Sequence, residues 1–479
     1  MSALLLRGAR LASGAEPVDL LLRDGRIAAI APRIDEAVEA VDLEGRHVVP
    51  GLWDAHVHAN QWALALRRFE VGAAESAAEA AAIAARHLPR AEPGQTLVGY
   101  GFRDGLWPDA PSRELLDAAT GAHPVVLVSG DLHAAWANSA ACARYGVVAP
   151  TGLVREERAF ALVRELDAVD DAVLDRWVGE AALVAAARGV VGVVDMEMRW
   201  SRDAWLRRIA GGQRSLRVEA AVYPQDIARA TALRLPSGAL VDGGEGLLAV
   251  GAAKIITDGS LNTRTAFCAD PYAGLDADPH GLLTVPHEEL VEHLRLAERA
   301  GLRPAVHAIG DRANTLALDA FAAAGIRGSI EHAQLLAAED VPRFAELGVV
   351  ASVQPEHAMD DRDVAEHYWA GRTERAFPLR ALLDTGATLA LGSDAPVAPL
   401  DPWVAMDAAV TRSRDGRGAW HGEQSITRAE ALGASVRSSV AVGEPADLAV
   451  LDADPGAHPL RTMPVAATLL EGRFTHHSL

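Results

Sequence analysis

Two histidines two residues apart, His56 and His58, close an apolar run of strand length that begins near Val48. On a strand such residues share a face, so both imidazoles can reach one metal ion. Taken alone the pair leaves a second reading open, because histidines also stand in cores and on surfaces. Other apolar runs narrow the choice. Two of them end in His307 and His332, a third ends in Leu391-Gly392-Ser393-Asp394, and a fourth carries Lys254. Ionisable groups in such runs are costly unless paired or bound to metal. His56, His58, Lys254, His307, His332 and Asp394, spread over five runs and all toward one end, therefore point to a metal centre.

Of the 45 cationic side chains only Lys254 is a lysine. Arginine keeps its proton at any useful pH, whereas a lysine amine can lose it and act as a nucleophile. Either biased codon usage left one lysine behind, or position 254 performs chemistry that arginine cannot.

These residues need a scaffold that brings distant strand ends together. Eight apolar runs, at 48–56, 190–195, 216–223, 251–257, 303–307, 329–332, 349–354 and 388–394, alternate with amphipathic stretches such as 286–300 and 312–324. That rhythm predicts an α/β fold, a TIM-type (β/α)8 barrel with an outer helical ring. The region from about 60 to 176 breaks the rhythm and reads as an insertion after the first strand, lying over the active-site face. Strand-like runs at both ends predict a small β-sandwich domain from 1–48 and 443–479, with the barrel at 49–442.

The chain has 479 residues, half of them hydrophobic, and a formal net charge of −20. The composition is that of a globular protein, and the acidic balance argues against a nucleic-acid partner. Cys142 and Cys268 stand far apart without a CxxC spacing, which fits a reducing compartment and excludes a thiolate zinc site. The first 24 residues lack a signal-peptide core and no apolar stretch reaches membrane-spanning length, so a cytoplasmic location is expected.

The metal motifs around His56 and His58, Lys254, His307, His332 and Asp394 resemble, in that order, those of the amidohydrolase superfamily. More narrowly, the segments 129–141, 254–266, 351–357 and 401–412 are similar to the subgroup containing N-substituted formamide deformylase and the YtcJ-like proteins, and the likeness runs over nearly the whole chain. The resemblance implies two divalent ions, most simply zinc. His56 and His58 would hold the buried ion, His307 and His332 the second, and Lys254, carbamylated by CO2, would bridge them. Asp394 would complete the buried site and move a proton, with Lys254 and Asp394 the catalytic pair. The implied activity is hydrolysis of a C–N amide bond, in an N-substituted formamide or another N-acyl compound, by a metal-activated hydroxide.

His133, Trp136, Asn138, Arg264 and Gln354 are expected to hold the substrate, with loop packing as the competing role for Trp136 and solvation for Arg264. The expected partners are a small-molecule substrate and, as a candidate assembly, a homodimer, with neither nucleic acid nor membrane. Deamination of a heterocycle by one ion is the alternative enzyme reading, weakened because Ala308-Ile309-Gly310-Asp311 supplies no glutamate after His307. An inactive binding homologue is the third, opposed by the presence of all six ligands.

Overall fold

The apolar runs pair side by side in chain order. Barrel strands 1 to 8 are Leu52–Val57, Val190–Asp195, Arg217–Val222, Leu248–Ile256, Pro304–Ala308, Ser329–His332, Val350–Val353 and Leu389–Leu391, each parallel to the next. The computed structural model that defines them describes residues 3–12, 14–91, 94–275 and 278–479; positions 1, 2 and 13 of the expected terminal segment and 92 and 93 of the expected insertion lie outside it.

Helices between the strands cover the barrel with their apolar stripes. In the helix His287–Arg299, Leu290, Val291 and Leu294 fall on one face at helical spacing and bury against Ile255 and Val306 of strands 4 and 5. Strand 8 returns to strand 1 through the Asp394 N–H, which donates to the His56 carbonyl at 2.7 Å, and through a bridge between Val57 and Ala395. Only glycine permits this seam, because a Cβ at Gly392 would stand 2.8 Å from the His56 backbone nitrogen. Gly392→Ala is expected to cost about 1–3 kcal/mol by overpacking and to lower the thermal unfolding midpoint. An unchanged midpoint would mean that the seam yields without cost.

The first expected strand, 48–56, is in fact two. His47–Pro50 pairs with the C-terminal strand Leu448–Leu451, and Leu52–Val57 starts the barrel. Pro50 cannot donate to a ladder, and Gly51 lies so close to strand 2 that a Cβ would meet the Val191 side chain at 2.4 Å. The chain changes sheets at this dipeptide.

Two four-stranded sheets come from the chain ends. One holds Ala3–Ala9, Val18–Arg23, Arg26–Ala31 and Glu39–Asp42; the other holds His47–Pro50, Leu448–Leu451, Val465–Leu470 and Arg473–His477. Leu6, Leu20 and Ile27 of the first share a core with Val48, Val450 and Leu469 of the second. A third, five-stranded sheet, built from Phe69–Glu70, Leu97–Phe102, Val125–Ser129, Ala134–Ala137 and Leu153–Arg155, forms the body of the segment between strands 1 and 2. The helices that enter and leave this segment, Ala59–Ala65 and Asp171–Ala186, pack on the barrel wall. The Tyr100 hydroxyl ties the segment to the loop after strand 8, lying 2.7 Å from the Pro396 carbonyl oxygen.

Cys142 and Cys268 are buried free thiols. Among the described residues no helix is long and apolar enough to cross a membrane.

Candidate metal centre

All six residues singled out from the sequence meet at the carboxyl end of the barrel, around a cavity of about 440 Å³. Strand 1 supplies His56 from its interior and His58 one residue beyond its end. The Nε2 atoms of His56 and His58 lie 3.5 and 3.3 Å from Asp394 Oδ1, and Lys254 Nζ is 3.4 Å from His56 Nε2. Ligand atoms about 2.1 Å from one ion at tetrahedral angles stand about 3.4 Å apart. The separations are thus those of a ligand shell, and nitrogen with carboxylate oxygen suits zinc or a neighbouring divalent metal.

His56 Nδ1 donates to Glu331 Oε2 at 2.8 Å, which leaves the Nε2 lone pair facing the other ligands. Burial and the nearby Lys254 charge press the His56 imidazole down to about 4. Burial alone would raise Glu331, but the His56 hydrogen bond, with the His56 and Lys254 charges, holds it at about 2. A neutral imidazole steered by a carboxylate is the arrangement that raises a ligand's basicity and fixes its tautomer. Glu331→Gln is accordingly expected to weaken metal binding about 10–100-fold, read by competition with a chromophoric chelator. Wild-type affinity in that variant would remove Glu331 from the metal support.

Glu331 and His332 are consecutive, and on an extended strand they would face opposite sides. Both reach the centre because the backbone turns left-handed at His332, with φ 77°, and again at Ala333, with φ 42°. Asp394 is left-handed too, with φ 57°. Such strain in non-glycine residues persists where surrounding structure enforces it. Burial would raise the Asp394 carboxyl, but His56, His58 and His332 hold it well below the usual carboxylate range. Lys254 is 2 % exposed, and burial lowers its amine against the opposing pull of Glu331 and Asp394.

His307 lies with its ring centroid 4.4 Å from that of His332, and its Nε2 stands 3.4 Å from both Asp258 Oδ1 and the Gly259 carbonyl oxygen. Asp258 also accepts from the backbone N–H groups of Phe267 and Gly310 at 2.9 Å, so it braces the loops after strands 4 and 5.

Of the residues expected against substrate, His133 lines the cavity, reaching over from the inserted segment. Its Nδ1 is 2.8 Å from Glu156 Oε2. Burial would lower His133, but Glu156 outweighs it and lifts the imidazole to about 9. Glu156 is held in turn by the Thr265 hydroxyl, which donates to its Oε1, and its own backbone is left-handed, with φ 50°.

The other four are not among the residues that line the cavity. Trp136 is wholly buried inside the insertion, its indole N–H donating to the Ser112 carbonyl at 3.0 Å. Asn138 spends its amide on structure: Oδ1 accepts from Val125 and Ala141 N–H groups, and Nδ2 donates to the His123 carbonyl. Both sit in a strand and its following helix cap, where packing sets their direction. Arg264 lies over the Tyr368 ring and donates to its hydroxyl at 3.3 Å. Gln354 is buried against its own strand, near the Ser352 carbonyl. The cavity wall instead takes Gln334 after strand 6 and His357 after strand 7.

Glu331, Glu156 and His357 had no assigned role from the sequence. Glu331 had a signal, an acid inside the apolar run 329–332, masked by the rule that neighbours on a strand face apart. His357 closes the segment 351–357 that is similar to the subgroup, whereas Glu156 had no signal beyond its residue type.

A parallel barrel with imidazoles, an aspartate and a buried lysine at its strand ends defines a metal-binding (β/α)8 protein. The chain belongs to the amidohydrolase family, whose model matches residues 39–476. It is 31% identical to Protein LONG AFTER FAR-RED 3 of Arabidopsis thaliana, over 82% of this chain and 73% of that one. It is 27% identical to the putative amidohydrolase YtcJ of Bacillus subtilis (91% and 90% covered) and 26% identical to N-substituted formamide deformylase of Arthrobacter pascens (95% and 94%). The subgroup read from the motifs is therefore the one that the comparisons return. Among solved structures, an uncharacterized metal-dependent hydrolase from Pyrococcus horikoshii superposes with a TM-score of 0.79 at 25% identity, covering 96% of this chain and all of that one.

Proposed function

We propose that the protein is a metal-dependent hydrolase of a C–N amide bond in an N-substituted formamide or another N-acyl compound. The observation that carries the reading is the chain's one lysine, buried 3.4 Å from His56 Nε2 in a shell that also holds His58 and Asp394. The amide substrate class is supported by the end-to-end similarity to the deformylase.

His56, His58, Lys254, His307, His332 and Asp394 would hold the metal, which when bound makes water a nucleophile near neutral pH and polarises a carbonyl. Burial lowers the Lys254 amine, which favours the uncharged form that adds to CO2: an N–C bond forms, a proton leaves, and the carbamate offers two oxygens. Asp394 Oδ, ionised and facing the cavity, accepts the proton of the attacking water and delivers it to the leaving nitrogen. His133, braced by Glu156, presents its Nε2–H toward the cavity as a donor to the carbonyl oxygen as charge develops there. Leu132, Phe160 and Leu261 give the cavity apolar wall, which favours an N-substituent of hydrocarbon character.

The test is a screen of N-formyl and N-acyl amines, ureas, lactams and heterocyclic amines against protein loaded with zinc in bicarbonate. Release of a carboxylate and an amine from an N-acyl compound is the expected result. Ammonia from a heterocycle, with the acyl compounds untouched, would replace this reading with deamination, and a protein that takes up no metal would sink both.

A further inference from the structure

The helix that follows strand 7, Pro355–Tyr368, carries a carboxylate that the activity above does not use. Asp361 stands four residues after His357, and residues so spaced share one helix face with their Cβ atoms about 5–6 Å apart. Both line the cavity. The His357 ring centroid lies 6.1 Å from that of His332, and Asp361 is one turn, roughly 6 Å of helical rise, further along.

Arginines answer the neighbouring carboxylates. Arg461 pairs with Glu356 and Asp407, Arg414 with Glu356 and Asp360, and Arg103 with Asp360 at 3.0 Å. Asp361 has no ion pair among the described residues, and its one hydrogen bond there comes from Gln334 Nε2 at 3.0 Å. Burial pushes its carboxyl up to about 6, with Asp360 adding to the rise and His357 and Arg103 opposing it. A carboxylate withdrawn from water without a cation is costly. His357 has a similar shortage: it is 7 % exposed, and its Nε2 is buried with no hydrogen-bond partner among the described residues.

We infer that this helix face is a subsite for an ammonium group, so that the substrate is an N-acyl amine whose hydrocarbon substituent ends in a second, protonated amine. An ammonium has three donors, enough for the free Asp361 oxygen and the His357 Nε2 lone pair together. The apolar wall of Leu132, Phe160 and Leu261 suits the spacer between the two nitrogens. A substituent ending in a carboxylate would need Arg103, and that guanidinium is already paired with Asp360 and lies within the influence of Asp361 and Asp131.

The inference rests on the hydrolase reading for where the acyl group sits, and binding without turnover tests it. Zinc-loaded full-length protein is titrated calorimetrically, at slightly alkaline pH, with N-alkyl methanesulfonamides of equal length that resist hydrolysis and end in ammonium, methyl or carboxylate. The wild type is expected to bind the ammonium-ended probe about ten-fold or more tightly than the methyl-ended one, the scale of a hydrogen bond to a charged group, and the carboxylate-ended probe most weakly. In Asp361→Asn the ammonium- and methyl-ended probes are expected to bind within about three-fold of each other. The methyl-ended probe offers residue 361 no polar group, so its binding reports that fold and cavity persist. No binding of the ammonium-ended probe, equal affinity for it and the methyl-ended one in the wild type, tighter binding of the carboxylate-ended one, or a preference that survives in Asp361→Asn overturns the proposal and leaves the hydrolase reading standing. A preference that Asp361→Asn abolishes, in a protein that cleaves no N-acyl compound, keeps the subsite and overturns the hydrolase reading instead.

Discussion

Lys254→Arg is expected to lose turnover by about 1,000-fold or more, since bound ions contribute several kcal/mol of transition-state stabilisation and each ~1.4 kcal/mol is a factor of ten. The reason is chemical. Arginine carries a permanent charge and cannot add to CO2, so the variant would place a cation where the proposed bridge is an anion. Position 254 is buried beside His56 and within the influence of Glu331 and Asp394, and a guanidinium there meets imidazoles that can no longer be drawn around metal. Elemental analysis should show metal content falling with activity. Lys254→Ala supplemented with a short carboxylic acid is expected to recover part of both, because a free carboxylate can enter the gap. If Lys254→Arg kept both ions and full activity, the carbamate would be wrong.

Asp394→Asn is the second large effect, a fall of about 10²–10⁴-fold in kcat at saturating metal, the range that positioned proton transfer contributes. The amide keeps the shape of the carboxylate but cannot accept the proton of the attacking water. Asp394 is held ionised by His56, His58 and His332 despite its burial, so the native group is ready as a base throughout the neutral range. Its backbone N–H closes the barrel on the His56 carbonyl, a contact that asparagine retains, so the variant should fold. Measuring kcat beside metal affinity separates proton transfer from ligation. A kcat within about three-fold of wild type at full metal occupancy would take the proton-transfer role away from Asp394.

Much of this was legible in the residues. Apolar runs that end in histidine or aspartate mark strands delivering side chains to one barrel face, and six donors could be read without coordinates because each lies at or near the end of such a run. The lone lysine was legible by contrast with the arginines around it. Less legible were residues whose direction depends on packing. Trp136 and Asn138 lie in a segment that does overhang the cavity, yet they face its interior: the indole meets Ser112 and the amide caps the next helix. Nothing in their spacing separates that face from the one carrying His133.

The amino-acid sequence by itself determined the barrel, the donor types and their order along the chain, because these follow from hydrophobic periodicity and the cost of burying charge. Tertiary structure alone decided which donors share an ion and what steers them. Glu331 reaches His56 while its neighbour His332 reaches the same centre only because the chain leaves the extended conformation at φ 77°, where the two-residue alternation of a strand no longer applies. His357 stands in the first turn of a helix, and its place near His332 and Asp394 is set by the side-by-side pairing of strands 6, 7 and 8. Such proximity is a property of the closed barrel, and local spacing carries no record of it.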